Sequence, residues 1–228
     1  MDRSRATAGG ALALGAALAA AAAGAAAAQP AAEPPAAWTA VGRLTYGAAH
    51  RPGAALCTAT LIAPDLALTA GHCVRRGDGA PMAAPTVRIA FGGAAPARGV
   101  AILGPDGGPA ADRPPADLAG DLALVRLAAP VAGVAPLRLA GADPGQPPWT
   151  RVAFRRDAPG VAEAAPCRPV ALSSPVIGLD CAAVSGQSGA PLLVERDGAW
   201  RIVGVMVARN RDGGPVRSLA VVPPAPPP

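Results

Sequence analysis

From Trp38 onward the chain alternates short apolar runs with turn-forming clusters of Gly, Pro and Asp, and no stretch keeps a helical period. The runs predict strands over Trp38–Tyr46, Cys57–Ala63, Leu66–Thr69, Thr86–Phe91, Gly99–Leu103 and Leu122–Leu127. A second set is expected over Val134–Leu139, Arg151–Phe154, Arg168–Leu172, Gly178–Cys181, Pro191–Glu195, Trp200–Val207 and Ser218–Val222. The clearest hairpin joins Leu192–Glu195 to Trp200–Val207, with Asp197-Gly198 supplying the turn. Gly104–Asp117 and Gly141–Pro148 read as loops. Proline recurs along the whole length and argues against a helical bundle, because each internal Pro removes a helix hydrogen bond and clashes with the preceding turn. The pattern predicts an all-β protein in two halves.

Before this region, Met1–Ala28 reads as a secretory signal. Arg3 and Arg5 form a positive start, Ala11–Ala23 is apolar, and Ala26-Ala27-Ala28 before Gln29 offers a small-x-small cleavage site. The alternative is an uncleaved membrane anchor, for which a run built on alanine rather than leucine is a poor span. Residues 29–37 form an Ala/Pro-rich extended lead-in, and residues 223–228 a Pro-rich tail. The expected location is secreted or periplasmic.

Composition narrows the function. The formal net charge is +5, yet all 20 basic residues are arginine, which reads as the coding bias of a GC-rich genome. The arginines are spread along the chain, never more than two together, and are not interleaved with aromatics, which argues against a nucleic-acid-binding surface. With 51% hydrophobic residues the chain can bury a core.

Three segments carry chemistry: Leu68-Thr69-Ala70-Gly71-His72-Cys73, Gly120-Asp121-Leu122-Ala123-Leu124-Val125-Arg126-Leu127, and Gly186-Gln187-Ser188-Gly189-Ala190-Pro191. A serine hydroxyl at its free pKa is a poor nucleophile and needs a neighbouring imidazole to take its proton. The chain has only two histidines, and His50 sits in a turn-like segment, so His72 is the candidate base. Asp121 would orient it, with Asp117 as the rival acid. The Gly186 and Ser188 N–H groups would face a developing oxyanion. Four cysteines allow three pairings; Cys57–Cys73 and Cys167–Cys181 are expected because each pair flanks one of these motifs and export permits disulfides. A zinc site at His72 and Cys73 is the competing reading, disfavoured because adjacent ligands cannot easily face one metal.

Taken in the order His, Asp, Ser, these segments resemble the trypsin/chymotrypsin-like serine proteases, with their T-A-G/A-H-C, D-x-A-L-x-x-L and G-x-S-G-x-P motifs. The resemblance spans Trp38 to Val222. It implies two packed six-stranded antiparallel β-barrels: an N-terminal barrel over 38–132 carrying His72 and Asp121, and a C-terminal barrel over 133–222 carrying Ser188 and the oxyanion hole. It further implies an endopeptidase acting on protein or peptide substrates through an acyl-enzyme, as a monomer with no cofactor, no metal, no nucleic-acid partner and no membrane association after signal cleavage. The order of residues excludes an α/β-hydrolase, whose histidine follows its serine, and the absence of α/β alternation disfavours a subtilisin-like arrangement using Asp65.

Two departures from the digestive enzymes stand out. Gln187 replaces the acid before the nucleophile, and no I-V-G-G segment precedes Trp38, so both halves of an activating ion pair are absent together. This resembles the bacterial secreted branch related to glutamyl endopeptidases. By position, the primary pocket is expected at Ala182, Val207 and Arg209. Ala182 carries no charge, which disfavours a preference for basic residues, and Arg209 could reach an acidic one. A catalytically silent protease-fold binding protein is the alternative function.

Overall fold

The computed structural model describes residues 33–46, 57–108, 118–141, 145–211 and 213–224. The expected signal segment, residues 29–32 of the lead-in, His50, Asp117 and the end of the tail lie outside the described residues. One compact unit spans Pro34–Pro228. It contains fourteen strands among the described residues: β1 Val41–Tyr46, β2 Cys57–Ala63, β3 Leu66–Ala70, β4 Val87–Ala90, β5 Ala97–Leu103, β6 Leu122–Leu127, β7 Arg138–Leu139, β8 Trp149–Ala153, β9 Glu163–Cys167, β10 Pro169–Ser173, β11 Val176–Leu179, β12 Pro191–Arg196, β13 Ala199–Arg209 and β14 Ser218–Val221.

The first six close into an antiparallel barrel in the order β1-β2-β3-β6-β5-β4, with β4 returning to pair β1. Closure leaves no strand edge unpaired. Leu44, Leu61, Ile89 and Val125 are fully buried. The other eight strands form one curled sheet in the order β10-β11-β14-β13-β12-β8-β9, with short β7 parallel to β13. No ladder joins the edge strands β9 and β10, but they are consecutive in the chain and meet at Arg168, so the sheet curls into a half-barrel. The fold is the all-β double barrel of the chymotrypsin-like type, with its second barrel open along one seam.

The curled sheet is apolar on both faces, which explains the unbroken run Ile202-Val203-Gly204-Val205-Met206-Val207. Leu192, Val203 and Met206 belong to the sheet's own core, whereas Leu193, Ile202, Val205 and Val207 pack with residues of the first barrel. A bulge at Leu192/Leu193 places the extra residue in β13 and switches which face each side chain takes. The expected hairpin turn is present: Arg196 pairs with Ala199, and Asp197 and Gly198 have φ of 52° and 72°.

Three strand expectations shift. Trp38–Ala40 lies in a 3-10 turn, Ala36–Ala40, because the Thr39 hydroxyl and the Trp38 N–H satisfy local carbonyls at Ala36 and Pro35. Trp38 there meets Trp200 of β13 edge-on at 5.5 Å. The strand expected over Val134–Leu139 shrinks to β7. The strand β9, Glu-Ala-Ala-Pro-Cys, was not expected, because its sequence has little β-propensity. It lies at a sheet edge, where Pro166 is tolerated, and is paired along its length to β8.

One buried residue joins the two halves. Thr58, in β2, donates its backbone N–H to the Ser188 carbonyl at 2.8 Å and its hydroxyl to the Gly186 carbonyl at 2.9 Å. The same hydroxyl accepts the Phe154 N–H at 3.0 Å, and the Thr58 carbonyl accepts the Thr69 hydroxyl at 2.7 Å. Replacing the hydroxyl with a methyl group would strand a buried donor and acceptor at about 1–3 kcal/mol each. Thr58→Val is therefore expected to lose about 2 to 4 kcal/mol in chemical denaturation, and Thr58→Ser to lose much less.

Candidate active site

Strand β3 ends at Ala70 and the chain turns at once into the 3-10 segment Gly71–Val74, while β6 begins at Leu122 opposite Ala70. This register brings His72 and Asp121 together. The Gly71 N–H donates to the Asp121 carbonyl at 3.0 Å. Both oxygens of the Asp121 carboxylate are engaged: Oδ1 accepts the His72 backbone N–H at 2.8 Å, and Oδ2 lies 2.7 Å from His72 Nδ1. An ionised carboxylate only accepts, so Nδ1 carries the proton and Nε2 presents its lone pair. A Cβ at position 71 would lie 2.9 Å from Oδ1, so glycine here lets the carboxylate approach this backbone closely. The Asp121 side chain is 13% exposed and that of His72 46%, so the acid is shielded while the base stays open to substrate.

The third motif forms a tight turn ahead of β12. Gly186 and Gly189 have φ of 101° and 81°, a region that side chains with Cβ rarely enter. A Cβ on Gly189 would fall onto the Thr58 carbonyl oxygen and the Thr69 hydroxyl, so the turn lies directly on the strand pair leading to His72. The Gly189 N–H donates to the Met206 carbonyl at 2.7 Å, tying the turn to β13. Buried Gln187, where the digestive enzymes carry an acid, accepts the Val184 N–H on Oε1 at 3.0 Å and so closes the turn without a charge.

Two peptide planes decide where the candidate oxyanion donors point. The Ser185 carbonyl is held by the Arg156 N–H at 2.9 Å and the Gln187 carbonyl by the Ala190 N–H at 3.1 Å. In a planar trans peptide the N–H points opposite to the carbonyl. The Gly186 and Ser188 N–H groups are thereby turned away from these contacts, and neither donates to another described residue. Nor does a hydrogen bond join the Ser188 hydroxyl to His72 among the described residues.

Beside Ser188 opens a pocket of about 230 Å³, lined by Ala183, Val184, Ser185, Gln187, Met206, Val207, Ala208 and Arg209 with the serine itself. Val207 and Arg209, expected at the primary pocket, are among its lining residues. Ala182 is not: its carbonyl turns toward the Arg151 side chain at 2.6 Å, and Ala183 takes its place on the wall. The two disulfides are Cys57–Cys73, with Cα atoms 6.0 Å apart, and Cys167–Cys181, at 5.0 Å. The first ties β2 to the histidine segment and the second anchors the strand end that leads into the pocket wall. Cys57, His72 and Cys73 cluster closely enough to suggest a metal site, but the two sulfurs are bonded to each other and leave His72 alone.

Two residues of this region carried little sequence signal. Thr58 could be suspected only as a polar residue beside Cys57 in an otherwise buried strand. Arg151 could be suspected as a charge between Trp149 and Ala153 on the inward face of β8.

The trypsin-like peptidase domain family model matches residues 57–205, which covers His72, Asp121 and Ser188 and well over half of the chain. No curated protein matches the sequence. With the double-barrel fold, this match shows that the chain belongs to the trypsin-like peptidase domain family.

Proposed function

We propose that the protein is a secreted or periplasmic serine endopeptidase that cleaves peptide bonds through an acyl-enzyme on Ser188. The observation that carries this reading is the two-point hold of Asp121 on His72, which sets the tautomer and aims a basic Nε2 away from the acid. In the proposed reaction Ser188 Oγ attacks the substrate carbonyl carbon while His72 Nε2 takes its proton. Asp121 stabilises the imidazolium, and the Gly186 and Ser188 N–H groups receive the oxyanion; each such donor contributes on the order of 3 kcal/mol. His72 then protonates the leaving amine, and water, deprotonated by the same nitrogen, releases the acid. Backbone donors and the histidine–aspartate pair supply both charge stabilisation and proton transfer, so the chemistry needs no metal or organic cofactor.

Export is supported by the amino-terminal pattern and the two disulfides, and no described helix is long and apolar enough to cross a membrane. The domain reading accompanies the function: a signal over 1–28, a lead-in over 29–37, barrels over 38–132 and 133–222, a tail over 223–228, and a monomer acting on protein or peptide substrates.

One observation favours the alternative of a silent binding protein: the missing hydrogen bond between Ser188 and His72. Such contacts are often long in substrate-free enzymes and tighten in the complex. Intact mass before and after a fluorophosphonate probe separates the two readings. A single adduct on wild type, absent from Ser188→Ala and His72→Ala, is expected; a folded, disulfide-bonded sample with no adduct would refute the peptidase. Asp121→Asn should keep the fold and lower kcat/KM on a cleaved peptide by about 10³- to 10⁴-fold, because the amide no longer enforces the tautomer.

A further inference from the structure

On the outer face of the first barrel, Arg43, Arg88 and Arg98 lie on the neighbouring strands β1, β4 and β5. Thr45 stands opposite Arg88 and Arg43 opposite Ala90 across β1 and β4, and Arg88 stands opposite Arg98 across β4 and β5. Leu44 and Ile89, which alternate with these residues, are fully buried, so the arginines face outward. Like charges directly opposite each other across a ladder destabilise a sheet. No acid offsets this: among the described residues none of the three arginines is in an ion pair.

Arg43, Thr45, Arg88, Ala90 and Pro96 line a pocket of about 260 Å³. Backbone carbonyls hold both guanidinium groups in place. Arg43 Nη1 donates to the Pro159 carbonyl, in the second half of the chain, at 3.1 Å. Arg88 Nη1 donates to the Pro85 carbonyl and, at 3.1 Å, to that of Val87. The Nε and Nη2 groups of both arginines donate to no described residue, so most of each fork remains for a ligand. Asp157 and Glu163, which flank Pro159 in the chain, are both taken by Arg155. In the closed strand order β4 stands directly across the barrel from β3, which leads into His72, and this pocket shares no residue with the one beside Ser188.

Charge and shape together select the ligand. A carboxylate carries one negative charge and is satisfied by a single guanidinium fork. Two guanidinium groups on one cavity match a group with two charges and several oxygens, and near neutral pH a phosphate monoester has both. A pocket several times the volume of a water molecule has room for those oxygens and for the ester carbon. We infer that Arg43 and Arg88 form a binding site for a phosphate monoester, with Arg98 across the ladder adding to its positive field. The site is separate from the candidate catalytic residues, and its ligand binds whether or not Ser188 is a nucleophile.

Titration of the disulfide-bonded protein with methyl phosphate, methyl sulfate and inorganic phosphate, at neutral pH and fixed ionic strength, tests this. The arginine Nε–H signals, followed by NMR, report where each ligand sits. Methyl phosphate should saturate, shift the Arg43 and Arg88 signals, and bind about tenfold more tightly than methyl sulfate, which has the same shape and a smaller charge. Arg43→Gln and Arg88→Gln should each weaken it about tenfold, while Arg138→Gln, on β7, should leave it unchanged. If loss of the hold on Pro159 unfolds Arg43→Gln, Arg88→Gln and the wild-type shifts decide the matter. Inorganic phosphate should bind no more tightly than methyl phosphate. Equal affinity for the two esters, shifts without saturation, or full binding by folded Arg88→Gln would overturn the site, and saturable binding of inorganic phosphate alone would overturn the ester.

Discussion

Thr58 forms the hydrogen-bonded seam on which the site depends. Its N–H and hydroxyl hold the carbonyls of Ser188 and Gly186, the latter 128 positions away in the chain, and its own carbonyl is held by Thr69 on the neighbouring strand. Cys57, next in the chain, is bonded to Cys73 beside His72. The serine turn and the histidine turn are therefore referenced to the same two strands, although they belong to different halves. Because the seam is buried, each of its polar groups must be satisfied within the protein, and a slip of the two halves would orphan several at once. Gly189 completes the constraint, since any side chain there would collide with the Thr58 carbonyl.

The same demand for satisfied buried groups accounts for the charge-free turn before Ser188. A buried acid at position 187 would need a cationic partner, and losing either member of such a pair leaves an uncompensated charge at a cost of several kcal/mol. Gln187 meets the local demand with one hydrogen bond to the Val184 N–H. Nothing else has to insert to complete the turn, and the candidate oxyanion donors are oriented by carbonyl contacts to Arg156 and Ala190 alone. The buried charge of this half lies instead in Arg151, behind the wall of the pocket.

Much of the architecture was legible in the chain. Short apolar runs such as Leu122–Leu127 and the Asp197-Gly198 turn announce strands and a hairpin through residue type and local sterics, and eleven of the thirteen expected strands overlap observed ones substantially along their length, the exceptions being Val134–Leu139, reduced to two residues, and Gly178–Cys181, which contributes only Gly178 and Leu179 to β11. The departures have physical causes. Glu163–Cys167 is a strand because β8 offers it a ladder, not because its residues prefer one. Trp38–Ala40 has strand-like residues, yet Thr39 and Pro35 favour a turn.

The candidate site divides along the same line. By itself the sequence determined which residue types stand in its three motifs, a nucleophile, a base and an acid, and it set glycines at 186 and 189 where the turn takes positive φ, because those needs are local. Only the tertiary structure decided that Thr58 joins the halves, that Ala183 rather than Ala182 faces the pocket, and that Arg151 lies buried behind it without a counterion. Each of these depends on partners distant in the chain, and burial and hydrogen-bond satisfaction are properties of the packed fold rather than of any segment within it.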